Sequence, residues 1–246
     1  MSKQRLAGLI LILIVLVIFS APFQGSASTE PSLLLESPVN GSQVTSPIPI
    51  SAKINSEDYS LLRITLMNQS RNTLSRQLLS LDTDEGNLIN FSTDLFFEIP
   101  GDSSEGLLSI TLLDSNNRPA ILRSASLFLL SEGQTQIEAS KSETDWLTII
   151  QPQPGEVLSG GEVRVVGTVR PYVEGPLFFE LVTDSGGQIG TRQLSVDIAG
   201  RTFSFDIRIP YQYVNEMRDI RLIIRQKDSK FGETIILDSV PIFLTP

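Results

Sequence analysis

Apolar and polar residues alternate along short segments throughout most of the chain, most clearly in its second half. In "EVRVVGTV" (162–169), "TFSFDIRI" (202–209) and "DIRLIIRQ" (219–226), nearly every second residue is apolar. Successive side chains of a strand point to opposite faces, so this period of two puts the apolar residues on one face. The pattern predicts half-buried strands with one wet face, which is typical of antiparallel sheets.

Turn signals separate these segments at short intervals. Examples are "DSGG" (184–187), "AGR" (199–201) and "KDSK" (227–230). About seven short strands in about 100 residues, with a turn every 8 to 12 residues, are typical of an immunoglobulin-like sandwich. We therefore expect an all-β fold built from immunoglobulin-like antiparallel β-sandwiches.

The sequence contains an internal repeat. "LLLESPVNGSQVTSPIPISAKI" (33–54) aligns with "LTIIQPQPGEVLSGGEVRVVGTV" (147–169), and "ILRSASLFL" (121–129) aligns with "ILDSVPIFL" (236–244). Further matches follow in the same order between these two landmarks. A conserved order of landmarks is the signature of a duplicated unit, so we predict two tandem sandwiches.

The repeat predicts a domain map. The first sandwich covers residues 31–130 and the second covers residues 145–246. Residues 131–144 between them are polar and predict a flexible linker. Residues 1–27 precede both copies and are interpreted as a signal peptide or a signal-anchor.

The N-terminal segment has the pattern of an export signal. Lys3 and Arg5 precede the uncharged apolar run Leu6–Phe19, and small residues follow up to Ala27, where cleavage is expected. The alternative is an uncleaved anchor in which residues 6–23 enter the membrane. Both alternatives predict an exported protein, extracellular or held at the cell envelope, that meets a membrane only through this segment.

Composition excludes several kinds of chemistry. The 246 residues include no cysteine and no histidine, and the net charge is −9. Thiol catalysis and thiolate metal sites are therefore excluded, and the commonest neutral-pH base is missing. A negative chain repels phosphate backbones, so no nucleic-acid partner is expected. We expect neither a cofactor nor an enzymatic activity.

The second copy resembles a known family. Its lead-in Pro-x-Pro-Gly-Glu-x-Leu-Ser-Gly and strand Val-x-Val-x-Gly, within 149–169, resemble the start of the immunoglobulin-like domain associated with bacterial spore germination (Gmad2-like). Segments 177–190, 201–211 and 240–244 resemble its later strands. The first copy keeps the order with less of the detail. The resemblance implies an exported bacterial sandwich and carries over no catalytic or ligand-binding residue.

The glycines that open the second copy admit two interpretations. Gly155, Gly160 and Gly161 lie close together, as in a loop that binds phosphate. Such a loop needs a following helix N-terminus, whereas a valine-rich strand follows here and Glu162 would repel an anion. We therefore predict a turn that leads into a strand.

One acidic loop is a weak metal candidate. Asp82, Asp84 and Glu85 precede a glycine with a spacing that begins like a calcium loop, but its later ligands are missing. A solvated acidic loop is the preferred interpretation.

The aromatic residues of the second copy are weak candidates for ligand binding. Trp146 is the single tryptophan, and Tyr172, Tyr211 and Tyr213 fall near predicted strand ends, where binding residues tend to gather. Trp146 either stacks on a sugar ring or packs against the sandwich, and the second alternative is preferred.

Three arginines alternate with apolar residues on predicted strands. Arg208, Arg221 and Arg225 fall at wet positions, which predicts a solvated basic stripe rather than an interface.

These patterns favour a non-enzymatic exported protein with two tandem immunoglobulin-like domains. We expect it to bind or to space components of the bacterial cell envelope, with an envelope protein or a wall polymer as its partner. The alternative is a carbohydrate-binding module for wall or extracellular polysaccharide.

Overall fold

The computed structural model describes residues 32–55, 59–81, 88–138, 146–212 and 216–246. The predicted export signal lies outside these ranges. Within them no helix is long and apolar enough to cross a membrane. The described residues form the strands β1 (Ser32–Ser37), β2 (Gln43–Val44), β3 (Ile48–Asn55), β4 (Leu61–Asn68), β5 (Thr73–Ser80), β6 (Leu88–Leu95), β7 (Ser103–Leu113), β8 (Pro119–Leu130), β9 (Leu147–Gln151), β10 (Val157–Leu158), β11 (Glu162–Val169), β12 (Gly175–Thr183), β13 (Gln188–Val196), β14 (Phe203–Pro210), β15 (Arg218–Lys227) and β16 (Thr234–Leu244).

The first sandwich consists of β1 to β8. One sheet has the order β1-β3-β6, and the facing strands have the order β2-β8-β7-β4-β5. The alternating residues of β3 and β4, among them Ile48, Ile50, Leu62 and Ile64, point between the sheets and are buried in one hydrophobic core. Removing these aliphatic side chains from water is the main term that holds the two sheets together.

The second sandwich repeats this pairing strand for strand. The order β9-β11-β14 corresponds to β1-β3-β6, and β10-β16-β15-β12-β13 corresponds to the other sheet. Its core contains Val163, Val165 and Leu222, together with Phe179 and Phe205, whose rings meet edge to face with centroids 5.2 Å apart. The all-β class and the two immunoglobulin-like sandwiches predicted from the sequence are confirmed.

Two short pairings are parallel, which the period-two pattern did not predict. β2 runs parallel to β8 and β10 runs parallel to β16, each over two residues. Each follows a turn that carries the chain from one sheet to the other, with Gly41 or Gly155 at a positive φ that favours glycine. Gly160 and Gly161 also have positive φ and lead directly into β11. The turn interpretation of this glycine cluster is therefore confirmed.

The first part of the predicted flexible linker is held in place. Gln43 and Gln136 exchange two backbone hydrogen bonds, of 2.9 and 2.8 Å. The Glu138 amide donates to Ser42 Oγ at 3.0 Å, and the Val39 amide donates to the Glu138 carbonyl oxygen. Residues 131–138 therefore lie against β2 instead of forming a free linker, because their backbone completes the open side of that strand. Residues 139–145 lie outside the described ranges.

Candidate functional site at the junction of the two sandwiches

The two sandwiches meet along β8 and β16, the last strand of each. The C-terminal part of each strand pairs with its own short parallel strand, β2 or β10. The N-terminal parts pair with each other in antiparallel fashion, with Leu122 opposite Leu237 and Arg123 opposite Ile236. One ten-stranded sheet therefore runs through both sandwiches in the order β13-β12-β15-β16-β8-β7-β4-β5, with β2 and β10 beside it. Backbone pairing thus joins the two halves.

This pairing places equivalent residues of the repeat opposite each other. In the alignment of 121–129 with 236–244, Leu122 corresponds to Leu237. These two leucines are also direct partners where β8 meets β16. A residue that faces its own counterpart lies on a two-fold axis, as in the interface of a symmetric dimer. The junction therefore has local pseudo-two-fold symmetry centred between Leu122 and Leu237.

Two side-chain hydrogen bonds obey the same symmetry. Ser124 Oγ donates to the carbonyl oxygen of Ile235 at 2.7 Å. Ser239 Oγ donates to the carbonyl oxygen of Ala120, also at 2.7 Å. Ser124 corresponds to Ser239 and Ala120 to Ile235 in the repeat, so exchanging the two halves exchanges the two bonds.

The charges next to the axis depart from this symmetry. Arg123 and Asp238 are equivalent positions, and they form a bidentate ion pair with N–O distances of 2.9 and 3.0 Å. Their side chains are 13% and 20% exposed. Arg123 Nη1 also donates to the carbonyl oxygen of Leu237, and Trp146 Nε1 donates to Asp238. Two identical halves would bring like charges together here, so the opposite charges favour pairing between different halves.

Loops on both sides of the junction reach across it. Arg118, between β7 and β8, donates from Nη1 to the carbonyl oxygen of Thr183 at 3.0 Å. Arg71, between β4 and β5, donates from Nε to the carbonyl oxygen of Phe231 at 2.8 Å. Lys230, next to Phe231, forms an ion pair with Glu105 of the first sandwich. The second sandwich therefore holds the loop between β7 and β8, and the first sandwich holds the loop between β15 and β16.

A buried cluster of charged side chains lies next to the contact between Arg118 and Thr183. Asp114 Oδ2 lies 2.8 Å from Arg118 Nε and 3.2 Å from Arg221 Nη2. Arg221 Nη1 also donates to Ser239 Oγ at 2.9 Å and to the Tyr59 hydroxyl at 3.2 Å. Burial alone would raise the pKa of the Asp114 carboxyl, but hydrogen bonds from the Arg118 backbone and side chain, with the charge of Arg221, outweigh it. The pKa of Asp114 is therefore lowered.

The outer faces of the two halves are covered differently. On the first sandwich, Leu107 and its β4 partner Met67 pack in the hydrophobic cluster that contains the fully buried ring of Phe231. Phe231 belongs to the loop between β15 and β16. The corresponding loop of the first sandwich is one residue shorter and has Asn116 and Asn117 in that region. The loop therefore brings no counterpart of Phe231 to the matching face of the second sandwich, where Arg221 contacts Tyr59 instead, with its Cζ 5.9 Å from the ring centroid.

A cleft of about 320 Å³ lies on that less covered face. Val182 and Ile223, on β12 and β15, give it an apolar floor. Arg225 lines it and makes a bidentate ion pair with Glu180, with N–O distances of 2.8 and 2.7 Å. Arg221 also lines it, at the strand position where the first sandwich has Leu107. Arg221 is 8% exposed, and among the described residues its buried Nε has no hydrogen-bond acceptor.

Trp146 is not available for stacking on a sugar. It is 2% exposed and belongs to the core of the second sandwich, where its indole N–H donates to Asp238. The hydrogen bond satisfies the polar end of the ring, so the rest of it can be buried. In the structure Trp146 packs against the sandwich, as the preferred interpretation predicts.

The candidate tyrosines do not converge on one surface. Tyr172 is 47% exposed and follows the C-terminal end of β11, and partial burial raises the pKa of its phenol. Tyr211 is half-buried at the other end of β11, where its hydroxyl accepts a hydrogen bond from the Gly161 amide at 3.2 Å. At about 3.3 Å a residue, the eight residues of β11 separate them by roughly 26 Å. Tyr213 lies outside the described ranges.

The weak metal candidates Asp82, Asp84 and Glu85 also lie outside the described ranges. Within those ranges, no three carboxylate side chains come together in a way that could hold a metal ion.

The predicted basic stripe is wrong for two of its three arginines. Arg208 is exposed and forms an ion pair with Glu162. Arg221 and Arg225 lie at the predicted wet positions, but contacts from the first sandwich and the ion pair with Glu180 bury most of both side chains. A strand position that would face solvent in an isolated sandwich lies in the interface when a second sandwich continues the same sheet.

One feature of the sequence indicates this junction, although the alternation of apolar and polar residues does not. When the repeats are aligned, Arg123 stands above Asp238 inside an otherwise similar apolar segment. An inversion of charge at an equivalent position is expected where two related halves contact each other through that position.

No family model matches the sequence, and no curated protein matches it. Among solved structures, the chain is similar to the Salmonella enterica SafA pilin in complex with the SafB chaperone, at 12% identity and TM-score 0.28, covering 89% of this chain and 99% of that one. It is also similar to a chimeric titin Z1Z2 tandem (15% identity, TM-score 0.26, 87% and 98% covered) and to the E. coli chaperone DraB (12%, 0.28, 84% and 96%). These likenesses are too distant to carry any statement about function.

Proposed function

We propose that the chain is a non-enzymatic exported module of the bacterial cell envelope that binds or spaces other envelope components. The export signal pattern at residues 1–27 supports its placement outside the membrane. Its proposed relation to the Gmad2-like domains depends on the sequence motifs of the second copy. The proposed partner is an envelope protein or a wall polymer.

The pairing of β8 with β16 is the observation that carries this proposal. Two sandwiches on a flexible linker sample many orientations. Here a shared sheet, the Arg123–Asp238 ion pair and the loop contacts of Arg71 and Arg118 oppose such movement. A unit of fixed length and orientation suits a spacer or a rigid presenting surface.

The two ends of the ten-stranded sheet supply a means of binding. β5 and β13 are its terminal strands, and within the described ranges their outer sides pair with no strand, apart from one bridge between Gly190 of β13 and Tyr211. Such edges accept an added strand from another polypeptide. Leu78 on β5 is exposed and adds apolar surface at one edge. The carbohydrate alternative receives no support from Trp146, because that ring is buried.

Localisation tests the first half of the proposal. Intact bacteria that express the full chain are treated with a protease that cannot enter cells, and the loss of the chain is followed. We expect the chain to be degraded while a cytoplasmic marker survives. Protection of both would contradict export.

Capture tests the second half. The immobilised full chain is exposed to envelope extract and, separately, to purified wall polymer, and retention is compared with that on edge variants. Gln193→Lys on β13 and Leu78→Lys on β5 place a charge at each edge, which natural sheets use to prevent strand addition. We expect one component to be retained by the native chain and reduced on an edge variant. No specific retention would contradict the binding role.

A further inference from the structure

The two ends of the shared sheet are not equally open. On both edges a side chain reaches the neighbouring sheet: Arg192 of β13 donates to a carbonyl oxygen of β14, and Gln77 of β5 donates to one of β6, each at 3.1 Å. Within the described residues, only β13 also has backbone contacts on its outer side. Tyr211 forms a bridge to Gly190, and the Gln212 amide donates to a carbonyl oxygen of β13 at 3.1 Å. The chain itself therefore closes part of the β13 edge and leaves the β5 edge open.

The open backbone groups of β5 follow from its pairing with β4. The Leu81 amide donates to the carbonyl oxygen of Ser60 at 2.7 Å, and the antiparallel register continues from this pair along β5. In such a pair, the backbone groups of successive residues alternately face the partner strand and point away from it. The N–H and C=O groups of Arg76, Leu78 and Ser80 therefore point to the open edge, where an added strand can pair with them.

Two cations without a carboxylate partner lie beside this open edge. Leu62 and Ile64 of β4 point into the core, so Arg63 between them points to the outer face of the sheet. Arg76 of β5 lies diagonally across from Arg63 and shares that face. Among the described residues neither guanidinium group forms an ion pair with a carboxylate. Burial, and then the charge of Arg76, lower the pKa of Arg63. A carboxylate added here relieves the repulsion between the two arginines.

The equivalent place on the second sandwich has no such pair. The matching registers put Phe178 and Thr191 where the first sandwich has Arg63 and Arg76. Arg225, whose Cζ lies 5.0 Å from the centroid of the Phe178 ring, already forms a bidentate ion pair with a carboxylate of β12. Of the two ends of the sheet, the one at β5 therefore combines an open edge with unpaired positive charge.

From these features we infer that β5 is the edge that binds a partner, and that the partner is an acidic polypeptide segment that joins the sheet as an extended strand. Its backbone pairs with the open groups of Arg76, Leu78 and Ser80. Side chains two residues apart share a face of a strand. An apolar side chain of the partner therefore meets the exposed Leu78, and an acidic one two residues away meets Arg76 and Arg63. The inference rests on the binding role proposed above and narrows it to one edge and one class of partner.

The two arginines also decide which strands are disfavoured. A charge at a sheet edge opposes unselective strand addition, and two cations favour an acidic strand over a neutral or a basic one. A second copy of the chain is disfavoured for the same reason, because β5 paired with β5 brings four guanidinium groups onto one face.

Calorimetric titration of the full chain with the acetylated and amidated peptide Thr-Thr-Val-Thr-Glu-Thr-Glu-Thr tests the inference. The threonines favour an extended backbone, and the valine and the glutamates share one face. Two matched probes carry glutamine or lysine in place of both glutamates. A fourth probe keeps the glutamates but is N-methylated at the valine and the first glutamate, which removes the backbone donors that face β5.

We expect saturable binding of the glutamate peptide and no binding of the lysine peptide or the N-methylated peptide. The glutamine peptide should bind more weakly by about threefold or more, the effect of a few exposed ion pairs. This difference should fade as the salt concentration is raised, because salt screens exposed charges.

Variants with matched controls separate the edge and the charge from the fold. Leu78→Pro removes an N–H that points to the open edge, so it should abolish peptide binding without the loss of a hydrogen bond to β4. Gln193→Pro at the equivalent position of β13 should bind like the native chain. Arg76→Gln should reduce the preference for glutamate over glutamine. Arg201→Gln, at an exposed position between β13 and β14, removes the same charge and should leave the preference unchanged. Urea unfolding checks that each variant is folded.

Four outcomes would each overturn the inference. These are no saturable binding of the glutamate peptide, equal affinity for the glutamine peptide, equal binding of the N-methylated peptide, and unchanged binding in a folded Leu78→Pro variant. If one of them occurs while the native chain still retains a component of envelope extract, the proposed binding role stands and only this partner is wrong. Peptide binding as expected, with nothing retained from extract, supports the chemistry of the edge and contradicts the role in the envelope.

Discussion

Arg123 and Asp238 occupy the same position in the two repeats and form a bidentate ion pair with N–O distances of 2.9 and 3.0 Å where β8 meets β16. The leucines beside them, Leu122 and Leu237, keep the symmetry that the charges break. Symmetry brings each half opposite its own equivalent surface, and the charge difference selects the pairing of unlike halves. The junction thus has the geometry of a symmetric dimer and the specificity of a heterodimer.

The Arg123–Asp238 ion pair is expected to be strongly coupled. Arg123→Asp brings two carboxylates together in a mostly buried place and should lower the free energy of unfolding by about 3 kcal/mol. The double variant Arg123→Asp, Asp238→Arg restores opposite charges and should recover part of this loss, with a coupling energy above about 1 kcal/mol. Recovery is incomplete because Trp146 loses its acceptor. Urea unfolding of both single variants and the double variant gives the coupling.

The Arg164–Asp206 ion pair is the matched control for this cycle. It is also bidentate between two strands, but it lies on an exposed face. Exposed ion pairs contribute little, so Arg164→Asp should cost much less than Arg123→Asp. Equal losses at both places would show that the junction pair has no special role.

Asp114 predicts how stability depends on pH. Burial opposes the ionised form of Asp114, but Arg118 and Arg221 outweigh it, so the pKa of the folded state is below that of the unfolded state, about 3.9. The stabilisation is present above the unfolded pKa and disappears as the pH falls through the folded pKa. We expect little change in stability between pH 7 and pH 5 from this group, and a loss below about pH 4.

Asp114→Asn separates this contribution from those of other carboxyls. The variant should be less stable than the native chain at pH 7, and its stability should fall less steeply below about pH 4. Urea unfolding at several pH values measures both curves. Parallel curves for the two proteins would mean that the Asp114 cluster does not cause the acid dependence.

Trp146 gives a direct spectroscopic test of the core. Because it is the single tryptophan and is 2% exposed, the emission of the folded chain should be blue-shifted and weakly quenched by acrylamide. Trp146→Phe removes the donor to Asp238 and should lower stability by roughly 1–3 kcal/mol. A red-shifted and readily quenched emission would place the indole in water and reopen the sugar-stacking interpretation.

Any side chain at Gly167 is expected to destabilise the second sandwich. A Cβ at this position would lie 2.2 Å from the Thr148 carbonyl oxygen and 2.8 Å from the Phe205 ring, so β9 would have to shift. Gly167→Ala should cost roughly 1–3 kcal/mol. The equivalent residue of the first sandwich, Ala52, is buried in its core. The reverse change, Ala52→Gly, is the control and should cost about 1 kcal/mol or less. A Gly167→Ala variant as stable as the native chain would contradict the close approach of β9.

Local sequence patterns predict individual strands of this fold, because the alternation of apolar and polar residues is a local property. The alternation in 162–169 and 202–209 predicts β11 and β14 because it states which residues share a face. It does not state what covers that face, so it predicts solvated side chains at Arg221 and Arg225. The two-residue strands β2 and β10 are too short to show any period. The contact of β8 with β16 joins segments about one repeat apart in the chain, and only the charge inversion at Arg123 and Asp238 indicates it in the sequence.

The distance across the shared sheet tests the central claim, that β8 and β16 make one rigid unit of the two sandwiches. The chain has no cysteine, so Arg76→Cys on β5 and Thr191→Cys on β13 allow two spin labels to be attached at exposed equivalent positions. Seven strand spacings of about 4.8 Å, with an offset of four residues along the strands, place these positions roughly 36 Å apart. Pulsed electron–electron double resonance should give a single narrow distance distribution near this value, and Arg123→Asp should broaden it. A broad distribution in the native chain would contradict the rigid junction.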